Sequence, residues 1–190
     1  MSRPIMYDPD HALDRAMDLF WERGYRDVSV DDLVHSTGLN RHSLYGHYGS
    51  KYGLAREALR RYCEESLRRL HELLTDSGTP TDRLRRFLRL HAADNPDPWW
   101  SNSIDRGCFA LRMSTEMRKE HPEIGEMVAR GMSAILADLA AVFRDGQQRG
   151  EFRTDRQPEV MAKVLYSAWL AALMLPPDRE HEAAVLSVLT

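Results

Sequence analysis

The sequence is poor in cysteine, in long apolar runs and in strand-like alternation, and each shortage excludes something. Its two cysteines, Cys63 and Cys108, are too few for a disulfide framework and suit a reducing cytoplasm. The most apolar run, residues 164–175, falls short of the about 20 residues that a bilayer span needs. Residues 1–10 carry Asp8 and Asp10 and lack an apolar stretch, so they do not read as a signal peptide. No internal repeat or low-complexity tract is present. A net charge of -3 gives no global attraction for nucleic acid, so any basic surface must be local. No nucleophile–base pair or phosphate-cradling loop is visible, and the histidines lack metal-ligand spacing. An enzyme, a metal and a cofactor are therefore not expected.

What the chain does have is helical periodicity almost throughout its 190 residues, enough for one large domain or a small one joined to a larger. The spacing predicts an all-α protein of nine helices. The first covers residues 10–23, capped by Asp10, with Leu13, Ala16, Met17 and Phe20 on one face and Gly24 at its end. Ser29 and Asp32 form a near capping box for the second, which carries Val30, Leu33 and Val34 and stops at Gly38. Asn40 caps a short third helix with Leu44 turned inward. Gly49 breaks it, and Ser50 caps a long fourth helix striped by Leu54, Ala58, Leu59, Cys63, Leu67, Leu70 and Leu74. Pro80 starts a fifth helix reaching about residue 93, and residues 95–98 read as a loop. Further helices are expected over residues 106–119, 122–149 and 158–175, and from Asp178 to the C-terminus.

The segment from Ser29 to Lys51 carries the clearest function. Two short helices joined by Thr37-Gly38-Leu39 have the dimensions of a helix-turn-helix, whose second helix enters the major groove. Between Leu33 and Arg56 there is no acidic residue, while Arg41, Lys51 and Arg56 are present with His35, His42 and His47. Arg41 suits guanine or a phosphate, and Asn40, His42 and Ser43 can hydrogen-bond to base edges or phosphates. Tyr45 and His47 suit thymine methyls and phosphate oxygens. Lys51 joins the exposed N–H groups of the fourth helix in holding a phosphate, with Ser29 and Tyr25 as further phosphate candidates. Leu44 and Tyr48 read as core, and Tyr25 reads equally as packing.

Residues 16–59 resemble the DNA-binding domain of the TetR/AcrR family. The resemblance rests on Ala16, Leu19-Phe20, Gly24-Tyr25, Val28-Ser29-Val30, Leu33, Thr37-Gly38-Leu39 and the run from Ser43 to Lys51, with Leu54. That run is close to the family's T-L-Y-x-Y-F-x-S-K pattern. Gly46 departs from it and weakens the third helix, either as a tolerated cost or as room for close approach to DNA. The resemblance implies a DNA-binding domain at 1–52 and a ligand-binding and dimerisation domain at 53–190. It further implies a homodimer on a near-palindromic operator and a small-molecule inducer. A repressor is the expected mode, with an activator or a ligand-independent DNA-binding protein as the alternative.

Beyond residue 60 the resemblance is one of architecture. Residues 164–175 are apolar almost all round, which calls for cover on two sides, by the protein's own core and by a symmetry mate. A central helix in a monomer is the other reading. Ligand-lining candidates are Trp99, Trp100, Phe109, Arg112, Met113, Glu116, Met117, Tyr166 and Trp169, each of which also reads as core. Arg106-Gly107-Cys108-Phe109 with Glu116 resembles a Gly-Cys motif of a TetR subgroup that includes sensors of electrophiles and oxidants. Arg112 departs from that motif, which often has asparagine there. Cys108 is thus either a sensor, its thiolate favoured by a helix N-terminus and Arg106, or a packing residue. Cys63 reads as packing.

Overall fold

The computed structural model describes residues 9–92, 95–101, 106–173 and 187, and among them nine α-helices and no strand. We label them α1 (Pro9–Arg23), α2 (Val30–Thr37), α3 (Arg41–Tyr48), α4 (Lys51–Thr75), α5 (Pro80–Leu88), α6 (Pro98–Ser101), α7 (Phe109–Met117), α8 (Pro122–Gln148) and α9 (Pro158–Ala172). They form two compact units. One holds residues 1–64 and 109–128, the other residues 65–108 and 129–190. The sequence places a boundary at 52/53, where the helix-turn-helix string ends, whereas the first unit continues along α4 to Glu64.

The first unit is built on the apolar faces expected of α1 and α4. Leu13, Ala16, Met17 and Phe20 are buried, as are Leu33, Leu44, Leu54, Ala58 and Leu59. Removing Phe20 from water stabilises by about 1.5–3 kcal/mol. A ring cluster not foreseen in the sequence completes this core. Trp21 lies 5.3 Å from Tyr62 and 5.7 Å from Phe109 between ring centroids. Phe109, Met113 and Met117 of α7 are fully buried, together with Ile124 at the start of α8.

The second unit packs Leu70, Leu74, Leu84, Phe87, Leu139, Phe143, Phe152, Met161 and Leu165 into one cluster. Thr79 and Asp82 form a capping box at the start of α5, with Pro80 in its first turn.

Helix ends differ from expectation at four places, each for a local reason. Asp10 lies within the first turn of α1 rather than capping it, where it still favours the helix dipole. α5 gives way to a 3₁₀ turn, Arg89–His91, where Asn95 Nδ2 donates to the Leu90 carbonyl at 2.6 Å. The loop expected at 95–98 instead starts α6: Asp97 Oδ1 accepts the Trp99 N–H at 3.0 Å, and Pro98 takes the first helical position. Gly107, at φ 71°, separates Arg106 from α7. The helix expected from Asp178 lies outside the described residues, except that Ser187 is helical.

Candidate nucleic-acid interface

The local chemistry of α2 and α3 holds one face of α3 in solvent. Ser29 Oγ accepts the Asp32 N–H at 3.1 Å, and Asp32 returns a bond to the Ser29 N–H at 2.8 Å. Gly38, at φ 71°, turns the chain, while Thr37 Oγ1 donates to the Leu33 carbonyl at 2.6 Å and accepts the Leu39 N–H at 3.2 Å. Asn40 Oδ1 accepts the Ser43 N–H at 2.8 Å and caps α3. Leu39 and Leu44 are buried and fix the helix from within. Arg41, His42 and His47 are exposed, Ser43 and Tyr48 are half-buried, and the Tyr45 ring is 45% exposed. A tyrosine kept in water on a well-anchored helix has little to contribute to folding and suits contact with another molecule.

Two of the expected DNA-contacting groups already have local work. The Ser29 hydroxyl is committed to the capping box, and Asn40 Oδ1 to its cap. Asp32, bonded to Ser29 and Arg23, is held far below the usual carboxylate range, chiefly by the Ser29 hydroxyl. Lys51, half-buried at the start of α4, places Nζ 4.5 Å from the centroid of the Tyr25 ring. Burial pushes the Lys51 amine down and the Tyr25 phenol up. Arg41 does not stand alone, since its Nη2 lies 2.6 Å from Asp31 Oδ1 on α2. The acid-free stretch from Leu33 to Arg56 therefore meets a carboxylate from just upstream.

Gly53 sets how α3 meets α4. A Cβ there would lie 1.8 Å from the Tyr48 carbonyl oxygen, so only glycine lets α4 start against the end of α3. A lone glycine inside a helical pattern was the signal available in the sequence.

Arg112, Met113 and Glu116, expected as ligand-lining candidates that also read as core, lie in the first unit and take part in its packing. Met113 is fully buried. Arg112 Nη1 donates to the Trp21 carbonyl at 3.0 Å, and Glu116 Oε2 accepts the Arg26 N–H at 3.0 Å. Beside them His121 stacks on Tyr52 at 3.7 Å between ring centroids, and the Tyr52 hydroxyl donates to Glu123. Tyr52 is pushed up to about 12, first by burial and then by Glu123. The other aromatic candidates gather in the second unit. Trp169 lies 4.8 Å from Phe87, 5.7 Å from Tyr166 and 6.4 Å from Trp100. Trp99 carries the Arg69 guanidinium at 5.2 Å. Cys108 is half-buried immediately before α7, and Cys63 is half-buried on α4.

Comparison with known sequences gives this arrangement its family. The domain described as "Bacterial regulatory proteins, tetR family" matches residues 12–58, and "Tetracyclin repressor-like, C-terminal domain" matches residues 80–181. The chain belongs to the TetR family.

Among TetR-family relatives, the HTH-type transcriptional repressor ComR of Escherichia coli is 29% identical over 150 residues, covering 78% of this chain and 70% of ComR. The repressor DhaR of a Mycobacterium species is 23% identical over 165 residues, covering 86% and 79%. The reduced form of E. coli NemR shares the fold with a TM-score of 0.80 at 21% identity, over 95% of this chain and 96% of that one. A cysteine-substituted TetR-family regulator, CifR, solved with 26-base-pair operator DNA, has a TM-score of 0.73 at 24% identity, over 98% and 95%. Across this TetR-family chain, sequence reading found the exposed groups of α3. It missed Asp31 and the α7 contacts, which depend on residues distant in sequence or on exposed side-chain rotamers, and Gly53, which the sequence marks only as a lone glycine in a helical pattern.

Proposed function

We propose that this TetR-family protein is a transcriptional repressor that binds a near-palindromic operator as a homodimer and is released by a small-molecule or electrophile inducer. The observation that carries it is α3, anchored by Leu39 and Leu44 while Arg41, His42, Tyr45 and His47 face solvent. An α-helix so presented fits the major groove, and side chains of these types read base edges and hold phosphates. Ser43 and Lys51 flank the reading face. Ser29 and Asn40 contribute through the helix geometry that they cap. Residues 1–52 carry the DNA contacts in this reading, and residues 53–190 the effector and dimer contacts.

The dimer is supported by a surface of the second unit. Ala134, Ala137 and Ala141 of α8 and Val160, Val164, Ser167 and Ala171 of α9 are exposed, with Val160 at 48% and Val164 at 53%. Small and β-branched residues at helical spacing allow close packing against a second copy, and burying the valines would drive it. Twofold symmetry then presents two α3 helices to successive major grooves, about 34 Å apart. No described helix is long and apolar enough to cross a membrane, and we place the protein in the cytoplasm.

For the effector, the cluster of Trp100, Tyr166 and Trp169 suits a flat apolar ligand, and Cys108 suits an electrophile. Binding that favours a DNA-incompetent arrangement by about 1–3 kcal/mol would suffice for release. The test is selection of bound duplexes from a random pool, repeated with a panel of ligands, followed by transcription from the selected site. Enrichment of a palindromic site that represses transcription is expected. A pool left unenriched would remove the DNA-binding reading, and activation from the site would replace repressor with activator.

A further inference from the structure

We propose that Asp31 is a specificity-determining residue for operator recognition, acting through Arg41 to turn a general phosphate-binding cation into a reader of base edges. The inference rests on the DNA-binding reading above. Arg41 opens α3 and Asp31 sits in the first turn of α2, with Nη2 2.6 Å from Oδ1. Both side chains lie largely in water, at 56% and 76% exposure, so a pair like this adds little to stability. Among the described residues each is the other's only hydrogen-bond or ion-pair partner. Beyond favouring the dipole of α2 from its first turn, Asp31 anchors little, in contrast to Asp32, which joins the capping box and Arg23.

The consequences lie at the interface. A carboxylate beside the guanidinium cancels its charge toward a phosphate. Phosphate contact is the sequence-independent part of DNA affinity, driven by counterion release, so Asp31 lowers affinity for a duplex that offers Arg41 only phosphates. The pair engages one terminal nitrogen of Arg41 and leaves Nε and Nη1 as donors. Held by Asp31, the guanidinium meets the two acceptors of a guanine edge with its side chain already ordered, whereas on a phosphate it must approach beside a carboxylate. The neighbouring cations reinforce this division of labour. Lys51, half-buried on the Tyr25 ring, remains for the backbone, and Arg23 is taken by Asp32.

The test compares wild type, Asp31→Asn, Asp31→Glu, Arg41→Ala and Asp31→Asn with Arg41→Ala, titrated on the selected operator and on a scrambled duplex at several salt concentrations. Asp31→Asn is expected to bind scrambled DNA about tenfold tighter and to steepen the salt dependence by roughly one phosphate contact per protomer. Its preference for the operator falls by a similar factor. Asp31→Glu restores the wild-type slope, and in the Arg41→Ala background Asp31→Asn changes nothing. An unchanged slope and preference in Asp31→Asn would overturn the proposal, as would an equal effect with and without Arg41, which would mean that Asp31 touches DNA by itself. Wild type selecting no sequence at all would instead overturn the DNA-binding reading and this inference with it.

Discussion

Glu116 of α7 accepts the backbone N–H of Arg26 at 3.0 Å, across 90 positions of sequence, and so closes the turn between α1 and α2. The same carboxylate fills the space above Gly24, where a Cβ would meet Oε1 at 2.5 Å, and Gly24 itself is at φ +87°. Arg112 reinforces the contact from the Trp21 carbonyl. α7 thus holds the approach to α2, and through α2 the setting of α3. Glu116→Ala should lower stability by about 0.5–1.5 kcal/mol, the worth of an ordinary hydrogen bond, and should weaken operator binding. Glu116→Gln retains an acceptor and should lie between. Thermal melting and DNA titration check both. Wild-type values in Glu116→Ala would show that the contact does not set the turn.

Two glycines give opposite predictions. Gly46 lies in α3 with nothing within 4 Å of a Cβ placed on it, whereas a Cβ on Gly53 meets the Tyr48 carbonyl at 1.8 Å. Gly46→Ala should stabilise by up to about 1 kcal/mol through helix propensity. Gly53→Ala should destabilise by about 1–3 kcal/mol, since backbone must move to admit the methyl group. Melting curves separate the signs. Operator titration of Gly46→Ala then decides between its two sequence readings: retained affinity means the glycine is tolerated, and lost affinity means DNA approaches it closely.

The Ser29–Asp32 capping box predicts an acid dependence. The Asp32 carboxyl in the folded protein is held far below its ordinary value by the Ser29 hydroxyl and Arg23. An unfolded aspartate takes up its proton near pH 4, by about pH 3.9, whereas the folded group resists. The contribution is therefore complete above that range and fades as the pH falls below it toward the folded value. Asp32→Asn should be less stable than wild type at pH 6, and the difference should shrink as the pH is lowered below about 4. A gap independent of pH would assign the effect to shape rather than charge.

These examples also show how far the sequence can be read. Ser29, Asp32, Gly38 and Asn40 act within three or four residues of themselves, so their spacing alone announces α2 and α3. The apolar faces of α1 and α4 follow from helical period. Residues 95–98 read as a loop because Asn95-Pro96-Asp97-Pro98 is dense in turn formers, yet the same Asp97 and Pro98 open α6. Glu116 and Arg112 looked like polar groups for a ligand because nothing local ties them to the turn after α1. Their partners, Arg26 and Trp21, are brought up only by the fold.

Arg41 and Tyr45 test the reading face directly. Both project from α3 into solvent, and neither belongs to the core. Loss of one good base contact removes about 1–3 kcal/mol of discrimination, so Arg41→Ala or Tyr45→Ala should weaken operator binding by about 5–150-fold. Melting temperature and sedimentation should remain those of wild type, because both side chains are exposed and neither fills core space. Undiminished affinity in both variants would take α3 out of the groove.

Cys108 gives a prediction for the effector. It immediately precedes α7, where the helix N-terminus favours a thiolate, and Arg106 adds positive charge two positions upstream. Its half-buried position leaves it partial access to solvent. A thiolate there can add to an electrophilic carbon of a quinone, forming a C–S bond while the ring takes up the electron pair and then a proton. Cys108→Ser should bind the operator as wild type does and should resist release by a quinone. Cys63→Ser, on the apolar stripe of α4, should release normally. Mass spectrometry of the treated protein should find the adduct on Cys108 alone. Normal release of the Cys108→Ser variant would leave that cysteine as packing and move attention to the rings around Trp169.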